Sequence, residues 1–104
     1  MAALHTSEIK LTVGLDENRI PEALTWSAED GGIVNEKAKA MLLSVWDSAN
    51  QESLKIDLWT KDMMVDEMKQ FYHQSLLSMA ETFERATGEA EIAKEMRGFA
   101  QYFG

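Results

Sequence analysis

The residues in this chain that carry acid, base or nucleophilic groups do not fall into a pattern that chemistry requires. His73 sits within a helical period, yet Lys69, Gln70, Leu76 and Leu77 occupy the positions three and four residues away. A metal-binding helix repeats His or carboxylate at that spacing, so His73 reads as a surface or interface histidine. Asp47 and Asp57 fall on neighbouring strands, but their positions in the alternation put them on opposite faces and rule out a shared proton. Ser44, Ser75 and Ser78 have no base at a suitable offset, and the Gly-x-Ser-x-Gly turn is absent. Gly31-Gly32 leads through Ile33 and Val34 into polar sequence, whereas a phosphate-cradling loop opens a helix. Cysteine is absent, which excludes thiolate chemistry, disulfides and Cys-type zinc sites. These residues therefore imply no enzyme, no metal and no cofactor.

The elements that position these groups are legible from hydrophobic period. Ile9, Leu11, Val13 and Leu15 alternate with polar residues and predict a strand over 7–15, followed by the polar turn Asp16-Glu17-Asn18-Arg19. Leu24, Trp26 and Ala28 predict a second, short strand over 24–28, with Pro21 ahead of it. Residues 29–38 read as a long hairpin connection. A third strand over 39–48 is apolar on both sides, and a fourth follows from Ser53 with Leu54, Ile56 and Leu58 in alternation. Within Trp59-Thr60-Lys61-Asp62-Met63 the period changes from that of a strand to that of a helix. Met68, Phe71, Tyr72, Leu76, Met79 and Phe83 then share one face of a helix over 64–86, which Thr87-Gly88 terminates. Ile92, Met96, Phe99 and Phe103 define a second helix over 89–102. The methionines in these helices read as core, a more common role than an adaptable binding surface.

The expected fold is α+β: a four-stranded antiparallel sheet followed by an antiparallel pair of C-terminal helices, in two layers. At 104 residues the chain reads as a single domain, large enough for its own core. Its formal net charge of −8 is spread evenly: residues 1–61 hold ten acids and six bases, residues 62–104 eight and four. Without a basic patch, nucleic acid and anionic membrane are poor partners. No apolar run of ~20 residues is present, so no membrane insertion is expected, and with no secretory signal at the start a cytoplasmic location is the simplest reading.

The hairpin between the third and fourth strands supplies one positive signal. If Ser48 faces Ser53, Val45 meets Ile56 and Leu43 meets Leu58 on the core face, while Leu42 meets Trp59, Ser44 meets Asp57 and Trp46 meets Lys55 on the other. Leu42, Trp46 and Trp59 then form an apolar patch on the outer sheet face, the expected protein interface. It makes the chain a homo-oligomer or a binder of another protein, unless the 29–38 segment, with Ile33 and Val34, folds over it.

Five segments together resemble the gliding motility-associated GldC family of Bacteroidetes. They are Thr6-Ser7-Glu8-Ile9-Lys10, Trp26-Ser27-Ala28-Glu29-Asp30-Gly31-Gly32, Leu43-Ser44-Val45-Trp46-Asp47-Ser48, Ile56-Asp57-Leu58-Trp59-Thr60-Lys61-Asp62-Met63 and Met79-Ala80-Glu81-Thr82-Phe83-Glu84-Arg85-Ala86-Thr87. The resemblance covers nearly the whole chain. It implies a small soluble protein tied to gliding motility, with no catalytic residue or cofactor to carry over. It also implies a proline after Met63, where this chain has Met64. The resulting expectation is a non-enzymatic interaction or assembly component whose protein partners include the motility machinery. The alternative is a holdase chaperone for unfolded or exported chains, because strands followed by two helices resemble the order of elements in SecB chaperones. A small-molecule binder, with its ligand between sheet and helices, is a third reading.

Overall fold

The computed structural model describes residues 3–104, which form two compact units, one ending at Met63 and the other running from Met64 to Gly104. The first unit holds five strands in chain order: β1 (Lys10–Leu15), β2 (Pro21–Ala28), β3 (Ile33–Ala38), β4 (Ala40–Asp47) and β5 (Glu52–Trp59). They make a three-stranded antiparallel sheet of order β1-β2-β3 and a two-stranded sheet of β4 and β5. This corrects the single four-stranded sheet expected from the sequence.

Two features account for the difference. The first is that residues 29–38 are no open loop. A single 3₁₀ turn at Glu29–Gly31 ends on Gly32, whose φ of 78° needs a residue without a β-carbon. The chain then returns as β3 along β2, with Leu24 opposite Ala38 and Trp26 opposite Glu36. Asn35, at φ 48°, donates its amide to the Ser27 hydroxyl at 2.8 Å and so fixes the irregular end of this pairing. Ile33 and Val34 therefore belong to a strand of the first sheet and do not fold over the β4–β5 face.

The second feature is a bend at Lys39. It separates β3, which pairs with β2, from β4, which pairs with β5, where the sequence suggests a connection over 29–38 and a strand over 39–48. Thr60 anchors the bend. Its amide donates to the Lys39 carbonyl at 2.7 Å, and its side-chain oxygen lies 2.9 Å from that carbonyl and 2.6 Å from Oδ1 of Asp62. A hydroxyl has one proton to give, and with the carbonyl already served by the amide it goes to the carboxylate. That bond holds the Asp62 carboxyl below the usual carboxylate range. Thr60 is 2% exposed, the one buried polar residue among those described.

A second tie joins the β1–β2 turn to the stretch after β5. Oδ1 of Asp16 accepts the amides of Asn18 at 2.8 Å and Ile20 at 2.9 Å, closing the turn around Arg19 at φ 62°. Lys61 Nζ lies 2.7 Å from Oδ2 of the same carboxylate. Lys61 and the turn amides hold Asp16 below the usual carboxylate range, and Asp16 in turn raises Lys61.

The second unit is a helical hairpin of α1 (Val65–Thr87) and α2 (Ala90–Ala100), ending in a 3₁₀ turn at Gln101–Phe103. Both helices lie within a residue or two of where the apolar period places them. Met64 stands just before α1 and donates its amide to the Glu67 carboxylate at 3.3 Å, while Asp66 and Glu67 favour the positive helix end. Gly88, at φ 73°, closes α1 by donating its amide to the Glu84 carbonyl at 2.8 Å. The helices pack through small residues: Ala80, Ala93 and Ala100 are fully buried. Arg97 reaches back to Glu84 at 2.6 Å. His73 Nδ1–H donates to the Ala100 carbonyl at 2.8 Å, so this half-buried histidine latches the end of α2 onto α1.

Candidate interaction surface

The β4–β5 hairpin turns at Asp47. Its carboxylate accepts the Ala49 amide at 3.0 Å and the Asn50 side-chain amide at 3.0 Å, and Gln51 takes φ 52° to return the chain. Asp47, held below the usual carboxylate range chiefly by Asn50, therefore faces Glu52 and closes the turn one residue earlier than Ser48 opposite Ser53 would. The register differs from the sequence expectation by two residues: Leu43 meets Ile56, Val45 meets Leu54, Leu42 meets Asp57, Trp46 meets Ser53, and Trp59 meets Ala40. A slip of two preserves which residues share a face and changes only which ones touch.

One face carries Ala40, Leu42, Ser44 and Trp46 from β4 with Trp59, Asp57, Lys55 and Ser53 from β5. Leu42, Trp46 and Trp59 are 39%, 63% and 57% exposed. Leu42 and Trp59 are diagonal neighbours, while Trp46 stands six residues along β4 from Ala40, about 20 Å away. Between them Lys55 and Asp57 form an ion pair at 3.2 Å. The three residues share a face, but within one chain they are not a contiguous patch.

The opposite face is more apolar. Met41, Leu43 and Val45 lie directly across from Leu58, Ile56 and Leu54 in an unbroken aliphatic strip, with Asp47 and Glu52 at the turn end only. Sequence periodicity assigns this face to the core, yet Leu43, Val45, Leu54 and Ile56 are 37%, 57%, 49% and 54% exposed. The signal for a second apolar face was already present in β4, which is apolar on both sides, a pattern that suits a strand covered twice. Asp47 and Asp57 lie on opposite faces, as their positions imply, and Ser44 faces Lys55.

Three other surface features carry weaker chemistry. A polar cleft of about 270 Å³ is lined by Thr6, Glu8, Lys10 and Ser27, with Ser7 donating its hydroxyl to Asp30. Met79, Phe83 and Met96 line an open apolar groove on the helical hairpin. Phe99 stacks edge-on against Phe103 at 5.7 Å beside Tyr72 and an exposed Tyr102. Among the described residues no group of three His, Cys, Asp or Glu side chains is placed to hold a metal ion. Nor is any described helix long and apolar enough to cross a membrane.

Fold and surface together define an α+β chain with exposed apolar residues on both faces of a β-hairpin. Comparison with known families refines this class: the family described as gliding motility-associated protein GldC-like matches residues 21–104, and the chain belongs to that family. Four of the five segments that carry the resemblance fall inside the match, and Thr6–Lys10 precedes it. No curated protein and no solved structure matches the chain. The family is linked to gliding motility and is not a known enzyme family.

Proposed function

We propose that this protein is a non-enzymatic, cytoplasmic interaction component of the gliding machinery, and that it engages protein through the β4–β5 hairpin with Leu42, Trp46 and Trp59 at the contact. The observation that carries this reading is the exposure of Trp46 at 63% and Trp59 at 57% on a strand pair whose other face is also uncovered. Two strands alone are marginal in water, and exposed aromatic residues of this size concentrate binding energy at interfaces. Membership of a motility-associated family supports the cellular setting.

The test places a photoreactive amino acid at Trp46 in a gliding bacterium, with exposed Glu81 on α1 as the control position. A small set of discrete adducts with motility components at Trp46, absent from Glu81, is the expected result. Trp46→Glu protein made at normal levels should then fail to restore gliding. Identical adducts at both positions and normal gliding by Trp46→Glu would refute the reading. A diffuse ladder of unrelated chains would instead identify a holdase.

A further inference from the structure

The outer edge of β4 leads further. The Thr60 amide bonds the Lys39 carbonyl on the same register count that pairs the rest of β4 with β5. Hydrogen-bonded pairs alternate along an antiparallel ladder, so Met41, Leu43, Val45 and Asp47 turn their amides and carbonyls toward β5. Ala40, Leu42, Ser44 and Trp46 turn theirs the other way. Among the described residues that edge pairs with no strand, and no loop bonds to it. Natural edges are blunted by proline, lysine, bulges or short length. This one runs Ala-Met-Leu-Leu-Ser-Val-Trp-Asp for eight residues, with a charge only at its end and a register free of shifts.

We infer that β4 pairs antiparallel with β4 of a second copy about a two-fold axis at Leu43, joining the two hairpins into a four-stranded sheet across the dimer. This rests on the proposed binding role of the hairpin and names its first partner. The occupant follows from the symmetry of the edge itself. The outward groups at 40, 42, 44 and 46 are centred on Leu43, so a second copy satisfies all of them. Ala40 then lies opposite Trp46 and Leu42 opposite Ser44, giving about eight main-chain hydrogen bonds.

Three consequences follow for the faces. Leu43 meets Leu43 and Met41 meets Val45, so two exposed aliphatic strips become one. On the other face Ala40 comes to lie between Trp59 of its own chain and Trp46 of the second. Two tryptophans that stand about 20 Å apart within one chain are then two strand spacings apart, about 10 Å, with a small residue between them. The contiguous aromatic patch that one chain lacks is assembled by two.

The test uses the full chain, which has no cysteine, so a single introduced cysteine forms a disulfide only between copies. Directly opposite residues of a non-hydrogen-bonded pair have α-carbons about 4.5 Å apart, within disulfide reach. Leu43→Cys should therefore oxidise readily to a covalent dimer. Ser44→Cys, offset by two residues from its own copy at about 8 Å, should not. Wild type should sediment as a dimer at about 100 μM chain, within reach of weak specific association. Ser44→Pro, which removes an outward amide and leaves the β4–β5 bonds intact, should sediment as a monomer with an unchanged far-ultraviolet spectrum. A monomeric wild type, a dimeric Ser44→Pro, or a Leu43→Cys chain that crosslinks no faster than Ser44→Cys would each overturn the inference. Because these measurements use purified chain, such a result leaves partner capture at Trp46 in cells as a separate question.

Discussion

Thr60 connects the two sheets of the first unit, so removing its hydroxyl tests how the β4–β5 hairpin is held. Thr60→Val keeps the shape of the side chain and the amide bond to Lys39, and removes only the proton donated to Asp62. No cavity is created, so the loss is that of one hydrogen bond to a charged acceptor with water available to replace it, about 1.5 kcal/mol. For a domain of this size that lowers the melting temperature by about 6–12 °C. The assay is thermal unfolding followed by circular dichroism, with the Asp62 titration followed by nuclear magnetic resonance. Because the Thr60 hydroxyl is the largest influence lowering Asp62, the valine variant should titrate at a higher pH, closer to an ordinary aspartate, while Thr60→Ser keeps the depressed value. A valine variant that melts within about 1 °C of wild type, with Asp62 titrating unchanged, would show that the bend at Lys39 does not depend on this side chain.

Acid should destabilise the first unit in a defined sense. Asp16, Asp47 and Asp62 all titrate below the usual carboxylate range in the folded chain, so the unfolded chain takes up protons first as pH falls. Their stabilisation is complete above the ordinary aspartate range and is lost as pH drops through the depressed values. Melting curves recorded from neutral to strongly acidic pH should show this loss, and Asp16→Asn should flatten the dependence by removing the charge that Lys61 faces; equal slopes in variant and wild type would contradict the assignment. In the second unit Ala80 is fully buried, so Ala80→Leu should force the helices apart at a cost of about 1–3 kcal/mol, visible as reduced urea resistance. Chelator treatment should leave the melting temperature unchanged, and a shift of several degrees would reveal a metal site.

The helices were legible because their apolar residues repeat at the helical period and Gly88 marks the stop. Strand β3 was not, since only Ile33 and Ala38 of its side chains are even half-buried, and Asn35, Glu36 and Lys37 face water. A strand held by main-chain bonds to β2 carries no alternation for periodicity to detect. The hairpin register was misjudged because Asp47 spends its carboxylate on closing the turn, a role that alternation does not register. Since the slip was by two, Leu42, Trp46 and Trp59 still share a face, but the ion pair of Lys55 and Asp57 comes between them. The exposure of the aliphatic face could not be read from period, which shows that two faces are apolar without showing what covers either. The bond of His73 to Ala100 could not be read from the sequence, because it depends on a helix end distant along the chain.

The central claim is that the β4–β5 hairpin is one half of a protein contact, and amide hydrogen exchange along β4 tests it residue by residue. In an isolated hairpin the amides of Met41, Leu43 and Val45 are protected by β5, and those of Leu42, Ser44 and Trp46 exchange at the rate of a free edge. The account predicts that all six are protected in the wild-type chain, and that Ser44→Pro restores fast exchange at Leu42 and Trp46, as at Ala40, while Met41, Leu43 and Val45 stay protected. Fast exchange at Leu42, Ser44 and Trp46 in the wild type, at concentrations where the chain would be dimeric, would contradict it.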